Sequence, residues 1–351
     1  MRGARPAGTS RGGWGPAVVV RVGRLAVTVV LTFLGLLFVT FVIGRVIPID
    51  PALAVLGDRA LPHVYARVRA EMGLDLPLYQ QFWNYLLKAL GGDLGSSVLT
   101  GRPVIDDIGT FFPATLELAT FAIVLGVALG VPMGVGAAVA RGRWPDHPVR
   151  LLALVGYSVP VFWLGLVGLL VLYARLDLVA GPGRLDVAYE GLVEPWTGLV
   201  LLDSLRAGAL PVFWNALAHL VLPGSILGYL SLAYIARMTR SFMLAELSQE
   251  YVVAARVKGL SEARVIWRHA LGNVMVPLVT VIALSYAYLL EGAVLTETVF
   301  AWPGLGLYIT QSLFNADMTA VLGGTLVVGV AFVGLNLISD VLYTFFDPRA
   351  R

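Results

Sequence analysis

The segment Leu25–Val46, LAVTVVLTFLGLLFVTFVIGRV, contains about 22 residues and a single charged side chain, Arg45. At about 1.5 Å per residue, a helix of this length crosses the roughly 30 Å of hydrocarbon in a bilayer. A cleavable signal peptide is the alternative interpretation, but its apolar core spans about 7–15 residues and ends at a small-residue cleavage site. This run is longer and continues into Ile47-Pro48. The segment therefore predicts an uncleaved membrane-spanning helix.

The composition of the whole chain agrees with a membrane location. Of its 351 residues, 58% are hydrophobic and 13% are charged, whereas soluble domains are nearer half apolar and a quarter charged. Further apolar runs predict five more spans, at about Ala114–Ala138, Leu151–Tyr173, Ala216–Ala236, Val274–Leu295 and Thr319–Thr344. We therefore expect an all-α membrane protein with six transmembrane helices.

The positive charge is distributed unevenly between the predicted loops. Residues 1–24, the loops at 139–150 and 237–272, and the C-terminal tail hold 16 of the 25 Lys and Arg residues. Cytoplasmic loops carry such an excess, so we expect these stretches, and with them both termini, to lie in the cytoplasm. Residues 1–24 are expected to form a basic disordered tail.

The segment 47–112 is long for a connection between two spans. Loops beyond about 15 residues are usually functional or disordered, so we expect an extracytoplasmic insertion, with one helical stretch from about His63 to Leu90. The insertion binds a partner, covers the ends of the protein's own helices, or does both. The remaining residues, 113–351, are expected to form a five-helix core.

Three glycines recur at four-residue spacing in the second predicted span, Gly126, Gly130 and Gly134. Small residues at this spacing let helix backbones approach closely. The pattern indicates either packing within this chain or contact with a second transmembrane subunit.

Several kinds of chemistry are excluded by the residues that the chain lacks. It has no cysteine, and its four histidines are far apart and form no H-E-x-x-H zinc motif. It also has no G-x-x-x-x-G-K-[ST] loop for nucleotide phosphates. We therefore expect no catalytic residues, no metal site and no cofactor on this chain, and no enzymatic activity of its own.

The basic loop between the fourth and fifth spans has the clearest pattern. Its residues 251–273 read YVVAARVKGLSEARVIWRHALGN, which predicts a short helix, a turn at Gly259 and a second short helix with Ser261 as its N-cap. The alternative is a basic loop that only sets membrane orientation. Orientation requires charge but no helix–Gly–helix of defined spacing, so the pattern favours a docking element.

This loop resembles the conserved "EAA…G" loop of ABC-importer permeases, through Val253-Ala254-Ala255 and Gly259. The family's Glu is Val253 here, and its closing Pro is Gly272. The longer string is similar to the peptide/nickel subgroup, which commonly lacks that Glu. The likeness covers about residues 25–351 and includes further segments, Gly73–Pro77, Gly92–Ser96, Thr296–Gly306, Asn336–Asp340, Leu342–Arg349 and, for dipeptide permeases in particular, Trp196–Leu205.

The resemblance implies a type I ABC-importer permease fold in a bacterial inner membrane. Besides the lipid bilayer, it implies three kinds of partner: a second homologous permease, two ATP-binding subunits that carry the ATP and Mg, and an extracytoplasmic substrate-binding protein. No nucleic-acid partner is expected. The residues that it predicts to contact the ATPase are Ala254, Ala255, Arg256, Lys258, Gly259, Leu260 and Ser261.

Acidic and amide side chains within the spans are candidates for the translocation pathway, because polar groups in a membrane usually serve function. Glu117, Glu291 and Asp340 lie within or near spans, and Glu297 lies at an outer end. Asn336 shares a helix face with Asp340, one turn earlier, and Asp340 is expected to order Arg349 or a neighbouring helix. Glu291 could meet a peptide's amino terminus, or it could pair or lie near the interface. Glu297 belongs to the external motif, where a structural role is the stronger interpretation.

We expect the permease subunit of an ATP-driven importer of dipeptides or short peptides. The alternatives are import of nickel complexes or glutathione-like peptides, an ion-coupled secondary transporter acting alone, and a membrane enzyme. A secondary transporter would need internal repeats with broken helices, and no convincing second copy of a span pair is present.

Overall fold

The computed structural model describes residues 16–46, 51–57 and 60–346. Most of the predicted N-terminal tail and the last three residues of the Leu342–Arg349 motif lie outside these residues. The helices are α1 (Pro16–Val46), α2 (Pro51–Leu56), α3 (Pro62–Glu71), α4 (Leu78–Leu90), α5 (Val104–Val139), α6 (Asp146–Ser158), α7 (Val161–Gly168, continued by a π-helical stretch, Leu169–Arg175), α8 (Val200–Arg206), α9 (Leu210–Glu246), α10 (Glu250–Val257), α11 (Glu262–Arg264, continued by a π-helical stretch, Val265–Ala270), α12 (Leu271–Val299), α13 (Leu305–Phe314) and α14 (Met318–Phe346). A single 3₁₀ turn spans Val187–Tyr189, and the described ranges contain no β-strand, only the bridge between Ser96 and Pro103.

Five helices are long and apolar enough to cross a membrane: α1, α5, α9, α14 and the continuous helix Glu262–Val299. Helices α6 and α7 complete the predicted six spans if they count as one, but they meet at a bend of 101°. Pro160 explains the bend, because Val159 before it is extended (φ −100°, ψ 125°) and proline offers no backbone N–H to continue the helix. The third predicted span is therefore a broken helix.

Helices α5 and α9 form the centre of the bundle and run in the same direction, and the glycine stripe of α5 faces α9. A β-carbon on Gly130 would lie 3.1 Å from the carbonyl oxygen of Leu232, and one on Gly134 would lie 2.6 Å from that of Ala236. The glycines therefore allow close packing within this chain, which decides between the two interpretations of the stripe.

The two ends of the bundle are formed by different segments and carry different charged side chains. We call the end that holds the 140–145 turn, the C-terminus of α9, α10 and α11 the basic end. There Arg240 Nε donates to Asp146 Oδ1 at 2.7 Å and ties α9 to α6. We call the other end the carboxylate end; it holds residues 60–103, 176–209 and 300–317.

Residues 60–103 pack on the protein's own helices at the carboxylate end. The predicted single helix from His63 to Leu90 is instead two helices, because Gly73 takes a positive φ (+67°) and Pro77 follows it. Ser97 Oγ donates to Asp317 Oδ2 at 2.6 Å. The segment therefore covers helix ends of this chain, as one of its two predicted roles requires.

Candidate functional site

Helix α10 sits on a small apolar patch at the basic end. It begins four residues after α9 ends, because Leu247, Ser248 and Gln249 form a turn between them. Val252 and Ala255 are buried against Val265, which lies in the helix that follows. The side chains at the edge of this patch are Leu247, Tyr251 and Leu260. Helix α10 is therefore attached to the bundle through only a few buried apolar groups.

A polar anchor joins three elements beside that patch. Tyr251 Oη donates to Glu246 Oε1 at 2.7 Å, and Asn273 Nδ2 donates to the same oxygen at 3.1 Å. Burial and the Glu246 carboxylate raise the pKa of Tyr251 to about 12. The phenol therefore remains a hydrogen-bond donor at neutral pH, and the anchor links the end of α9, α10 and the start of α12.

The turn after α10 depends on Gly259, whose φ is +76°. This left-handed conformation disfavours residues with a β-carbon, as the sequence predicted. The second predicted short helix is wrong: from Glu262 the chain enters the continuous helix that ends at Val299. Ser261 takes the N-cap position of this helix, but its side chain makes no capping hydrogen bond.

The predicted ATPase-contacting residues divide between two faces of this element. Ala254, Arg256, Lys258, Gly259 and Ser261 are exposed. Ala255 and Leu260 instead face the apolar patch that seats α10, so the structure does not place them on the free surface. They can act on a partner only by holding the helix in place.

Two exposed valines were missed by the sequence prediction. The side chain of Val257 is 83% exposed, and that of Val253, one turn earlier, is 54% exposed. Their four-residue spacing, out of phase with the buried Val252 and Ala255, is the signal in the sequence. An apolar pair on an exposed helix at a basic surface is suited to a protein contact.

The charged pair at this turn contributes little to stability. Arg256 Nε donates to Glu262 Oε1 at 2.8 Å across the turn, and both side chains are exposed. Exposed ion pairs contribute only modestly because water screens them. Arg256 is therefore available to exchange Glu262 for a partner's carboxylate.

The pathway candidates occupy three different environments. Glu291 is exposed on α12, on the face that also carries Tyr288 and Leu295. Glu297 is fully buried and accepts hydrogen bonds from Thr115 Oγ1 (2.6 Å) and the Leu307 backbone N–H (2.9 Å). This geometry favours the structural interpretation of Glu297. Asn336 is half-buried on α14.

A cavity of about 400 Å³ opens between α6, α9 and α12 beside the Glu291 face. It is lined by apolar side chains together with the hydroxyl-bearing residues Ser231, Tyr234, Ser285 and Tyr288. Gly156, next to the α6–α7 bend, and Gly292, next to Glu291, complete its wall. Sequence reasoning did not identify these hydroxyl residues, because their convergence depends on three separate helices.

The carboxylate end is held by buried acids that bond loops. Glu117 accepts from Arg184 Nε at 2.9 Å and from the Leu201 N–H at 2.8 Å. Asp203 accepts from the Thr197 hydroxyl (2.8 Å) and from successive backbone N–H groups. Burial alone would raise the pKa of Asp203, but bonds from Thr197 and Gly198 hold it below its usual range. Because Glu117 is bonded to Arg184 and to the Leu201 N–H, it has a structural role at this end.

No group of three or more His, Asp or Glu side chains suited to a metal ion occurs within residues 16–46, 51–57 and 60–346. His219 is buried in a structural position: Nδ1 lies 2.9 Å from the Asn215 carbonyl oxygen, and Nε2 lies 3.4 Å from Asp186 Oδ1.

Two family models and one solved structure match this chain. The family model described as "Binding-protein-dependent transport system inner membrane component" matches residues 130–351, and the corresponding N-terminal model matches residues 18–119. A solved structure of the inward-facing MetNI methionine ABC transporter aligns with a TM-score of 0.49 at 18% identity, covering 67% of this chain and 93% of that chain.

Curated relatives match over nearly their full length. The probable D,D-dipeptide transport system permease protein DdpB of Escherichia coli (strain K12) is 46% identical over 91% of this chain and 94% of its own. The dipeptide permease DppB of the same strain is 42% identical over 92% and 96%, and the di/tripeptide permease DppB of Pseudomonas aeruginosa (strain UCBPP-PA14) is 42% identical over 91% and 95%. The chain belongs to the family of inner-membrane components of binding-protein-dependent transport systems.

Proposed function

We propose that this chain is the permease subunit of an ATP-driven importer of dipeptides and short peptides, with the type I importer architecture. The observation that carries this proposal is the identity of 42–46% over more than nine-tenths of the chain to permeases named for dipeptide transport. The described helices and the exposed α10 are consistent with it.

The energy for transport is proposed to come from partner subunits. The sequence has no P-loop, so two ATP-binding subunits would supply ATP and Mg and bind α10 at the basic end. The exposed Val253 and Val257 would fill an apolar groove on the ATPase, and Arg256 and Lys258 would meet acids at its rim. ATP shifts the permease between two states only if it changes the affinity of this contact.

The remaining partners are proposed from the same family membership: a second homologous permease and an extracytoplasmic substrate-binding protein. We place the basic end in the cytoplasm, because Lys and Arg are concentrated there and in both tails. The binding protein would then dock at the carboxylate end, where residues 60–103 and 176–209 form the surface.

Orientation can be tested directly because the chain has no native cysteine. Val257→Cys and Val187→Cys place single thiols on residues that are 83% and 84% exposed at opposite ends. In intact spheroplasts, a membrane-impermeant maleimide should label the Val187→Cys chain and leave the Val257→Cys chain unlabelled until the membrane is opened. The reverse pattern would overturn the proposed orientation.

For the pathway, we propose that Glu291 and the hydroxyl-lined cavity beside it face the moving peptide. An exposed carboxylate on a membrane span is costly in lipid and is stable where it meets water, protein or substrate. Asn336 would contribute from α14, whereas Glu297 would hold the outer wall in shape. Dipeptide uptake by Glu291→Gln complexes should show a raised KM, and unchanged kinetics would remove Glu291 from the pathway.

The decisive experiment is transport by the complex purified from native membranes and reconstituted in liposomes with its binding protein. Uptake of a labelled dipeptide should require ATP on the ATPase side, and competition with a nickel complex or glutathione should be weak. Uptake by the isolated chain, driven by an ion gradient, would establish the secondary transporter instead.

Coupling through α10 has its own matched pair of variants. Gly259→Asp should abolish uptake and weaken recovery of ATPase subunits with the permease, while membrane insertion remains normal. Gly208→Asp is the control, because Gly208 also has a positive φ (+68°) and no atom within 4 Å of an added β-carbon, but lies at the other end. Substrate-stimulated ATP hydrolysis that survives Gly259→Asp would refute the coupling role.

A further inference from the structure

Helix α4 carries an exposed apolar stripe along one of its faces. The side chains of Tyr79, Trp83, Leu87 and Leu90 are 70%, 58%, 53% and 73% exposed, respectively. They are spaced four, four and three residues apart, so they lie on one face of the helix. A stripe of this size on a helix in water would be an aggregation hazard, which indicates that something apolar covers it.

The other two faces of α4 have different surroundings. Phe82, Tyr85 and Leu86 belong to the apolar cluster that α4 forms with α1. Gln80, Asn84 and Lys88, again at four-residue spacing, are exposed and polar. The helix thus has one face on protein, one apolar free face and one polar free face, in that order around its axis.

The position of α4 along α1 matches the edge of a bilayer. Phe82 contacts Phe38 and Phe41 of α1, with ring centroids 5.7 and 5.4 Å apart. Both phenylalanines lie in the last two turns of the apolar span Val27–Gly44. At about 1.5 Å per residue this span covers roughly 27 Å, close to the hydrocarbon thickness, so α4 lies at the level where hydrocarbon gives way to headgroups.

The stripe also continues a surface that already faces lipid. Leu31, Leu34 and Phe38 of α1 are exposed on a membrane-spanning helix, and Phe38 touches α4 through Phe82. Tyr and Trp are the residues enriched where lipid meets water, because each has an apolar ring with a polar edge. Tyr79 and Trp83 give the free face of α4 this composition.

We propose that α4 is an interfacial helix: its Tyr79–Trp83–Leu87–Leu90 stripe is inserted in the outer edge of the bilayer, beside α1. Gln80, Asn84 and Lys88, on the polar face, lie toward water and the headgroups. The occupant of the stripe is lipid, and the helix fixes the depth and rotation of α1. This inference depends on the membrane location and not on which substrate is carried.

The test uses single cysteines in the full chain, which has none of its own. Trp83→Cys and Leu87→Cys sample the stripe, and Asn84→Cys, next to Trp83 in sequence, samples the polar face. Each variant is labelled with an environment-sensitive fluorophore and reconstituted in vesicles of phosphatidylethanolamine and phosphatidylglycerol. Two quenchers are compared: a lipid nitroxide near the headgroup and aqueous iodide.

We expect headgroup-level nitroxide to quench the labels at positions 83 and 87 at least about twofold more than the label at position 84, and iodide to show the opposite order. Equal quenching at all three positions would overturn the proposal. So would labels at 83 and 87 that are shielded from iodide only after the extracytoplasmic binding protein is added, because the stripe would then be a protein contact. Two stripe positions are used so that local damage at Trp83 cannot decide the result alone.

Discussion

At the carboxylate end, loops are bonded to helices by buried acids, whereas at the basic end the short helix α10 is held by a small apolar contact and one polar anchor. Asp107, Glu117, Asp203, Glu297 and Asp317 are all at most 7% exposed and, in the described part of the chain, all receive hydrogen bonds. Helix α10 buries only Val252 and Ala255 against Val265. The two ends therefore differ in how much free energy is needed to move their loops.

This difference is suited to a transporter whose conformational change is driven by a partner at the basic end. Removing one member of a buried charge pair or hydrogen-bond network costs much free energy, because the other members stay buried without partners. Such networks therefore keep the loops that they join in one conformation. A small apolar contact opens at low free energy and can follow a partner. We expect the carboxylate end to act as a rigid frame and α10 to move with the ATPase.

The largest effect should come from breaking the frame at Arg184. Arg184→Ala leaves the Glu117 carboxylate buried without its partner, which should cost about 3–5 kcal/mol of stability. Thermal unfolding of the purified protein in detergent measures this. Arg67→Ala is the control, because its ion pair with Glu71 is exposed on both sides and its loss should change stability little. Equal effects of the two variants would mean that burial does not distinguish these pairs.

The next effect should be found in the glycine stripe of α5. Gly134→Ala forces α5 away from the Ala236 carbonyl and should cost about 1–3 kcal/mol. Gly136→Ala, two residues on, has no atom within 4 Å and should stabilise the helix by up to about 1 kcal/mol. Unfolding curves for the pair should thus shift in opposite directions; shifts of the same sign would contradict the assigned α5–α9 contact.

A smaller and local effect is expected at the Gly259 turn. Gly259→Ala should cost about 1–2 kcal/mol, because alanine resists the left-handed conformation. Amide hydrogen exchange should rise in residues 250–260 while global unfolding is unchanged. Gly259→Asn should restore most of the protection, since asparagine tolerates this conformation. A fall in global stability would show that α10 is part of the frame.

The smallest effect should follow from loss of the anchor hydroxyl. Tyr251→Phe removes the bond to Glu246 and should weaken the seating of α10 by about 0.5–1.5 kcal/mol. Exchange should increase in α10 and not at the carboxylate end. Tyr229→Phe, which removes a bond to the Leu152 carbonyl, should leave exchange in α10 unchanged.

Much of the architecture could be predicted from apolar runs, because lipid imposes the same length and composition on every spanning helix. The breaks were less evident. Pro160 interrupts the third span, and Gly73 with Pro77 interrupts the predicted helix from His63 to Leu90. These residues are visible in the sequence. Whether a proline breaks a helix or only kinks it depends on whether neighbouring groups replace the backbone hydrogen bond that proline cannot make.

At the candidate site, the helix and its glycine turn could be predicted from the sequence, but the face of the helix that is free could not. The left-handed turn at Gly259 follows from local chemistry, since glycine is the residue that adopts it without strain. Which face of α10 is free depends on its contact with Val265, ten residues beyond Ala255. The sequence pattern therefore did not show that Ala255 and Leu260 face the bundle, or that Val257 is exposed.

The sequence by itself determined that this chain is a bundle of membrane helices with a basic helix–glycine turn, because span length, charge placement and backbone conformation are local properties. Only the tertiary structure decided which acids are paired, which way the glycine stripe faces and which side of α10 and α4 is free. Glu297 meets Thr115 across 182 residues of chain, and Glu117 meets Arg184 across 67. Such contacts follow from how helices pack, and helix periodicity alone does not specify which helix lies beside which.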